Sequence, residues 1–345
     1  MAARMLDARL MELLCCPCGG DIVAAADEKL TCSSCRSAYP VVRGIPRFAG
    51  TADAGQAQVA NAFGYKWTRG SDFAMAGETQ TIMSEWLLDL RGWRSESEFA
   101  AFLKPFKTIL DAGAGNGRDV VQLARLRPDA LIVGIDVSDA IDVAAKHTEG
   151  LPNVFLIQGD VSHPPLRPAV FDYVTSNGVL HHTPSTCEAI KALYPLLVPG
   201  GEIAFAIYRK KAPIREFSDD YVRGKIRSME PAEAWKEMES ITLLGKALTE
   251  LDVEIEIPEV KILGMEGGRH NLQRFFYYTV LKCYWRDAFS FEDNVHVNYD
   301  WYYPEYAWRH TPAEVRRWLV ELGACETFFK EIPAQLSFRA QRPMK

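Results

Sequence analysis

Residues 108–119 read TILDAGAGNGRD, and this stretch decides the fold of the central part of the chain. A short apolar run up to Asp111 is followed by three glycines, and apolar residues then recur at helical spacing until Pro128. This order predicts a strand, a glycine loop and a helix, in which the glycines let the backbone approach a ligand at the helix N-terminus. A dinucleotide fingerprint would have its third glycine at the position of Arg118, so the loop argues against NAD.

Three further buried strands are predicted after this unit, and a polar residue follows each of them. The strands are expected over residues 130–135, 154–158 and 170–176, and the polar residues are Asp136, Asp160 and Asn177. Asp136 comes nineteen positions after Gly117, close to the roughly 20 expected for a carboxylate that binds ribose hydroxyls. Ligands of open α/β sheets bind at this edge, so the four strand ends predict one ligand site.

These strand ends and the loop SNGVLHHTP at residues 176–184 resemble the class I S-adenosylmethionine-dependent methyltransferases, in their type 11-like branch. The resemblance covers roughly residues 104–208 and implies an α/β, Rossmann-like sheet with helices on both faces and S-adenosylmethionine as cofactor. The cofactor residues that it implies are Asp111, Gly113, Gly115, Gly117 and Asn177 at the methionine portion, Asp136 and Val137 at the ribose, and Asp160 and Val161 at the adenine.

Two adjacent histidines follow the fourth strand, at the edge where the transferred methyl group is expected. A histidine with its ordinary pKa suits the removal of a proton from a hydroxyl or amine acceptor. His181 is the preferred catalytic base and His182 the second candidate, with one of the pair expected to be structural.

Four N-terminal cysteines have the spacing of a zinc ribbon. Cys15 and Cys18 form one C-x-x-C pair, Cys32 and Cys35 form another, and thirteen residues separate the pairs. Four thiolates complete the closed tetrahedral shell of a structural zinc site, so residues 1–50 are predicted to be a zinc ribbon. Cys16 is an extra thiol, and Cys15 is preferred because only it gives the two-residue gap. The segment resembles the zinc-ribbon proteins that activate methyltransferases and the ribbon of some ribosomal RNA guanine methyltransferases.

The remaining segments are predicted to surround the substrate. Residues 51–103 are expected to form a linker and a helical cover, and residues 104–345 the methyltransferase domain, with a helical insertion at about 209–310. Residues 275–310 contain fourteen aromatic side chains, which suit a lid or an apolar acceptor site, a subdomain core or a dimer interface. The candidate substrate residues are Tyr65, Trp67, Tyr303 and His310. Two strands near residues 327–332 and 336–340 are expected to finish the sheet as an antiparallel pair.

Composition limits the function. The net charge of -6 gives no general attraction to nucleic acid, and no run of residues reaches the roughly 18 apolar positions of a membrane span. No export signal is recognised, so a cytoplasmic location is expected. The leading hypothesis is methylation of a small or medium-sized metabolite. The alternatives are a ribosomal or transfer RNA methyltransferase whose ribbon grips RNA, and a non-catalytic protein whose ribbon and aromatic region bind a partner.

Overall fold

The N-terminal segment folds around the four-cysteine region as a small antiparallel sheet. The structure is a computed structural model, and it describes residues 6–25, 28–48 and 53–344. The elements of this segment are α1 (Ala8–Leu13), β1 (Ile22–Ala25), β2 (Lys29–Cys32), β3 (Ala38–Val42) and β4 (Ile45–Pro46), with the strands in the order β1-β2-β3-β4. The predicted boundary between residues 50 and 51 lies outside the described residues.

Three helices separate this ribbon from the central sheet. They are α2 (Ala54–Arg69), α3 (Gly77–Leu90) and α4 (Glu96–Leu103). Asp53 and Ser95 cap α2 and α4, since each side chain accepts a hydrogen bond from a backbone N–H in the first helical turn. Helix α2 carries an aromatic segment of the linker, residues 61–67 (NAFGYKW), to the edge of the sheet where the four strand ends meet.

The central sheet has seven strands, and the predicted Rossmann-like architecture is confirmed. Its elements are β5 (Thr108–Ala112), α5 (Arg118–Leu126), β6 (Leu131–Asp136), α6 (Ala140–His147), β7 (Val154–Gln158), β8 (Phe171–Asn177), α7 (Thr186–Leu193) and β9 (Leu197–Tyr208). These five strands are parallel to one another and are buried, which explains their nearly continuous apolar sequences.

The sheet is completed after an insertion of about a hundred residues. The insertion contains α8 (Pro213–Ile226), α9 (Pro231–Glu250), β10 (Glu254–Ile257), β11 (Gly268–Asn271), α10 (Leu272–Thr279) and α11 (Phe291–Tyr302). It is followed by α12 (Pro312–Glu321), β12 (Cys325–Glu331) and β13 (Gln335–Gln341). The last two strands form the expected antiparallel pair, and the sheet order is β12-β13-β9-β8-β5-β6-β7.

The ribbon shares a hydrophobic core with the central sheet. Leu10, Leu14 and Leu30 of the ribbon belong to the same buried cluster as the apolar side chains of β6, β7 and β9. The backbone N–H of Phe48 donates to the carbonyl of Gln158, 2.7 Å away, beside the end of β7. No helix in the described ranges is long and apolar enough to cross a membrane.

Aromatic residues of the insertion form their own core and also reach the sheet. Trp235, Tyr299 and Tyr302 are buried in one cluster with Tyr208 at the end of β9. The buried carboxylate of Asp219 accepts hydrogen bonds from the indole of Trp301, at 2.8 Å, and from the hydroxyl of Tyr302, at 2.7 Å. The aromatic stretch is therefore a subdomain core as well as part of the cavity described below.

Candidate functional site

The carboxyl ends of the parallel strands open into one cavity of about 500 Å³. Asp111, Asp136, Asp160 and Asn177, which follow or end β5, β6, β7 and β8, all lie in its wall. The structure thus brings together the four strand ends that the sequence singles out. Gly113, Gly115, Val137 and Val161 line the same cavity.

Gly117 is the one predicted cofactor residue that is not part of the cavity wall. Its backbone has φ +88°, and it forms the left-handed N-cap of α5, where its N–H donates to the carbonyl of Ala114 at 2.8 Å. A Cβ at this position would lie 3.0 Å from Ala144 of α6. Gly117 therefore shapes the loop and lets α5 approach α6, rather than facing a ligand.

Gly113 is required by a close contact inside the cavity. Its φ of +101° lies in the left-handed region, and a Cβ would come within 2.2 Å of the Val179 side chain. No larger residue fits this backbone without displacing the loop after β8. The glycine loop and the histidine-containing loop consequently touch each other across the site.

The Asp136 carboxylate ties the glycine loop to the end of β6. One oxygen accepts from the backbone N–H of Gly115 at 2.9 Å, and the other accepts from the N–H and hydroxyl of Ser138 at 2.8 and 2.6 Å. Burial raises the pKa of Asp136, while these hydrogen bonds oppose the rise. A carboxylate has about four acceptor positions, so one remains for a ligand hydroxyl.

Several buried acceptors in the cavity have no hydrogen-bond donor among the described residues, and two of them lie at the strand ends. These two are Oδ2 of Asp111 and Oδ1 of Asn177. Burial raises the pKa of Asp111 well above its usual range, and nearby Asp119 adds to the rise. Buried polar atoms are normally paired, so these two acceptors fit the ammonium group at the methionine end of S-adenosylmethionine, and Asp136 fits a ribose hydroxyl.

The opposite part of the cavity is built from α2 and the insertion. The ammonium of Lys66 on α2 forms a buried ion pair with Asp300 on α11, and the Tyr208 hydroxyl donates to the other oxygen of Asp300 at 2.7 Å. Burial opposes ionisation of Asp300, but Lys66 and its other neighbours hold the pKa of this carboxyl far below its usual range. All three side chains line the cavity.

His182 is the histidine of the pair that faces the cavity. Its Nδ1 lies 2.6 Å from the carbonyl oxygen of Tyr306. A carbonyl can only accept, so Nδ1 carries the proton and Nε2 presents a lone pair. Nε2 is buried and has no partner in the described parts of the chain. Burial lowers the pKa of His182 to about 4, which keeps the ring neutral near pH 7.

The preference for His181 as the base is not supported. Its ring is fully buried, does not belong to the cavity wall and packs against Tyr208 with ring centroids 3.7 Å apart. Burial lowers the pKa of His181 well below its usual range. Adjacent residues of the short turn after β8 point in different directions, so only one of the two imidazoles reaches the cavity, and it is that of His182.

Among the four candidate substrate residues, Trp67 lines the cavity and the other three do not. Tyr65 packs against Trp235, with ring centroids 6.0 Å apart. The Tyr303 hydroxyl donates to the carbonyl of Met229 at 2.7 Å. His310 lies 2.9 Å from the hydroxyl of Thr186. These three side chains hold the insertion and α7 in place, so their prediction as substrate residues is corrected.

Sequence reasoning missed several polar residues of the cavity. They are Lys66, Tyr208, Lys282, His296 and Asp300. Lys66 lies next to Trp67 in the aromatic segment, which is the one signal that could have identified it. The other four belong to no recognisable motif, and only the placement of the insertion over the sheet brings them to the cavity.

Four ribbon cysteines form one cluster, but Cys16 takes the place that was predicted for Cys15. Sulfur atoms of Cys16, Cys18, Cys32 and Cys35 all lie within 4.8 Å of one another, with Cys16 and Cys35 at 3.6 Å and Cys18 and Cys32 at 3.5 Å. A tetrahedral zinc site with bonds of roughly 2.3 Å requires sulfurs roughly 3.8 Å apart. The cluster is therefore compatible with zinc.

Cys15, which the two-residue gap favoured, lies outside this cluster. Its backbone N–H donates to the carbonyl of Pro165 in the catalytic domain at 3.0 Å, and Cys15 also pairs with Asp21 in an isolated β-bridge. Successive side chains of an extended backbone point to opposite faces. The contact that fixes Cys15 against the catalytic domain thus turns Cys16 toward the other three cysteines.

Comparison with known proteins agrees with both parts of this geometry. A family model described as methyltransferase domain matches residues 103–250, and one described as Trm112p-like protein matches residues 7–44. The uncharacterized methyltransferase YdaC of Bacillus subtilis is 30% identical over 141 residues, which cover 41% of this chain and 71% of that protein.

Two relatives with named substrates match shorter regions. The trans-aconitate 2-methyltransferase of Deinococcus radiodurans is 32% identical over 104 residues, or 30% of this chain and 39% of that protein. The ubiquinone biosynthesis O-methyltransferase of Serratia proteamaculans is 34% identical over 103 residues, or 29% of this chain and 42% of that protein. This chain thus spans less than half the length of each.

A solved structure of similar fold is magnesium protoporphyrin IX methyltransferase from Synechocystis PCC 6803 with bound S-adenosylmethionine. It is 13% identical, with a TM-score of 0.45, and the match covers 85% of this chain and all of that one. The relationship to YdaC and the matched methyltransferase domain carry the assignment. The chain belongs to the methyltransferase family, with a Trm112p-like ribbon at its N-terminus.

Proposed function

We propose that the protein transfers the methyl group of S-adenosylmethionine to a small or medium-sized metabolite. The observation that carries this proposal is one continuous cavity. It extends from the polar residues at the strand ends to the polar and aromatic side chains of α2 and the insertion. The cofactor would occupy the side with Asp111 and Asp136, and the acceptor the side with Trp67, His182 and Asp300. A cytoplasmic location is part of the proposal, because thiolate zinc sites persist in reducing compartments.

S-adenosylmethionine supplies an electrophilic methyl group on a sulfonium, so the protein mainly has to position the acceptor and exclude water. Trp67 and the insertion cover the strand ends and keep water out. The Asp136 carboxylate would hold a ribose hydroxyl, and the unpaired oxygens of Asp111 and Asn177 would hold an ammonium group.

His182 is proposed to take the proton of the acceptor. His182 lines the cavity, its Nε2 carries a lone pair without a partner among the described residues, and the carbonyl of Tyr306 fixes the ring orientation through Nδ1. A base with a pKa of about 4 is weak. It can receive a proton only as the acceptor bonds to the methyl group and becomes acidic, and the nearby Asp300 carboxylate would stabilise the imidazolium.

The proposal is tested by following the methyl label. The full-length protein is incubated with S-adenosylmethionine labelled on the methyl carbon and with a cell extract separated into small molecules, RNA and protein. We expect label in the small-molecule fraction only. Label in RNA would favour the alternative in which the ribbon grips RNA.

The cofactor and the base are tested separately. S-adenosylhomocysteine should bind the wild type in calorimetry, and absence of binding would contradict the proposal outright. His182→Gln should retain that binding and lose methyl transfer, whereas Arg269→Gln, a change at an exposed residue of β11, should retain both. Unchanged transfer by His182→Gln would refute the role of His182 as base.

A further inference from the structure

The insertion contributes several cationic side chains to the cavity but little negative charge. Arg274, Lys282 and Arg286 line the cavity together with a single aspartate of the insertion, Asp300. Asp300 already bonds Lys66 and Tyr208. Within residues 6–25, 28–48 and 53–344, none of the three insertion cations has a carboxylate within ion-pair distance. This half of the cavity therefore has an excess of positive charge.

Lys282 is the most informative of these cations because it is only 5% exposed. Its ammonium donates to the carbonyl of Val297 at 2.6 Å and lies 5.0 Å from the ring centre of Trp301. Burial lowers its pKa to about 7. The charges of Asp300 and Asp219 oppose this effect, but neither carboxylate lies within ion-pair distance of the ammonium. A bound anion would therefore stabilise the buried charge further.

The backbone of Lys282 is held in place by hydrogen bonds to two buried residues of the insertion, Asp219 and Tyr302. Its N–H donates to Asp219 at 3.3 Å, and its carbonyl lies 2.9 Å from the Tyr302 hydroxyl, whose single proton it shares with Asp219. Arg215 forms a buried ion pair with the same aspartate at 2.6 Å. The backbone N–H and carbonyl of Lys282 therefore both have buried partners, which fix the position of this residue at the cavity.

Arg274 and Arg286 lie at the exposed rim of the same half of the cavity. Both are near Tyr284: burial raises the pKa of this phenol, and the charges of Arg286 and Arg274 oppose the rise. A guanidinium presents a planar fork of donors that matches carboxylate and phosphate oxygens. Two such groups at the opening and an ammonium inside form a path of positive charge into the cavity.

Resting on the function proposed above, we propose that the methyl acceptor is an aromatic or apolar molecule that carries a compact oxyanion, a carboxylate or a phosphate monoester. Arg274 and Arg286 bind this group at the opening, with Lys282 as its inner partner. The aromatic walls formed by Trp67, Tyr278 and their neighbours contact the apolar body of the acceptor.

Model anions test the inference without knowledge of the natural acceptor. Benzoate, phenyl phosphate and neutral benzamide are titrated into the full-length protein by calorimetry, with and without saturating S-adenosylhomocysteine. The wild type should bind at least one of the two anions at least about tenfold more tightly than benzamide, because a charge-assisted hydrogen bond exceeds a neutral one by this order. The better anion distinguishes a carboxylate acceptor from a phosphate acceptor.

Two exposed arginines can be changed with little risk to folding. Arg274→Gln/Arg286→Gln should weaken binding of the preferred anion at least about tenfold and leave binding of S-adenosylhomocysteine unchanged. Arg269→Gln is the matched control, since Arg269 is 74% exposed, pairs with Glu254 and does not line the cavity. Lys282→Met should weaken anion binding as well, with its melting temperature measured to confirm folding.

Three results would overturn the inference. The first is equal affinity of the wild type for benzamide and both anions. The second is that neither benzoate nor phenyl phosphate binds the wild type. The third is wild-type anion affinity in Arg274→Gln/Arg286→Gln. Failure of the proposed function is seen separately, because it appears as absence of S-adenosylhomocysteine binding. A protein that binds benzoate but not S-adenosylhomocysteine would keep the anion site and lose the proposed methyl transfer.

Discussion

Replacing Asp136 by alanine tests the cofactor site most directly, because the structure limits what this carboxylate can give to a ligand. Three donors of the chain already occupy it: the N–H of Gly115 and the N–H and hydroxyl of Ser138. Of about four acceptor positions, one is left for a ribose hydroxyl. A hydrogen bond to a charged group contributes about 1.5–3 kcal/mol, which corresponds to a loss of roughly 10- to 150-fold in affinity.

The loss should lie toward the upper end of that range. Without the carboxylate, the buried N–H of Gly115 has no acceptor, so the glycine loop loses one of its hydrogen bonds to β6. Asp136→Asn should lose less than Asp136→Ala, because the amide keeps one carbonyl oxygen as an acceptor. Calorimetric titration with S-adenosylhomocysteine measures both, and thermal melting confirms that the variants fold.

A matched control is available three residues away. Asp139 is exposed and is not part of the cavity wall, so Asp139→Ala removes the same charge without touching the site. It should bind S-adenosylhomocysteine as the wild type does. Wild-type affinity in a folded Asp136→Ala protein would refute the assignment of Asp136 to the ribose.

The other predictions concern the metal, the loop and pH. Cys16→Ser should lower the zinc content and the melting temperature, whereas Cys15→Ser should keep its zinc by elemental analysis; the reverse would restore the C-x-x-C assignment. Gly113→Ala should lose about 1–3 kcal/mol of stability through its valine contact, and Gly150→Ala, also left-handed at φ +81° but with open space around it, should lose less in urea unfolding. The pKa of His182 is about 4 when folded and about 6.5 when unfolded. Its contribution to stability is therefore intact above about pH 6.5 and falls by about 2 kcal/mol on reaching pH 5. His182→Asn takes up no proton at this position, so it should lose that much less than the wild type. An identical loss in both proteins would contradict the lowered pKa of the buried His182 ring.

The catalytic sheet could be predicted from the sequence because its signals are local. Buried parallel strands are apolar throughout, so the polar residue that ends each one stands out, as Asp111 and Asp136 do. Their convergence follows from topology alone, since parallel strands end at one edge of a sheet. Gly117 shows the limit of this reasoning: spacing alone does not distinguish a glycine that faces the ligand from one that caps a helix.

The remaining site residues depend on tertiary contacts that no local pattern contains. Spacing in the sequence favours Cys15 over Cys16, and the tertiary contact that reverses this preference is the bond from the Cys15 N–H to the carbonyl of Pro165, far along the chain. Asp300 and Lys282 lie in an aromatic stretch that reads as an ordinary subdomain core. Their places in the cavity are set by how α10 and α11 pack against α8 and α9, and by the contact of Trp301 on α11 with Tyr208 at the end of β9.

The interface between the ribbon and β7 has a practical consequence for experiments with truncated proteins. Strand β7 ends the order of the central sheet, and the chain around Phe48 bonds to its last residue, Gln158. Removing the ribbon would expose apolar side chains of the sheet to solvent and leave β7 as an uncovered edge strand. Both changes favour self-association. Loss of activity in such a truncated protein would report precipitation as readily as a role in the reaction, so point substitutions at the cysteines are the sounder approach.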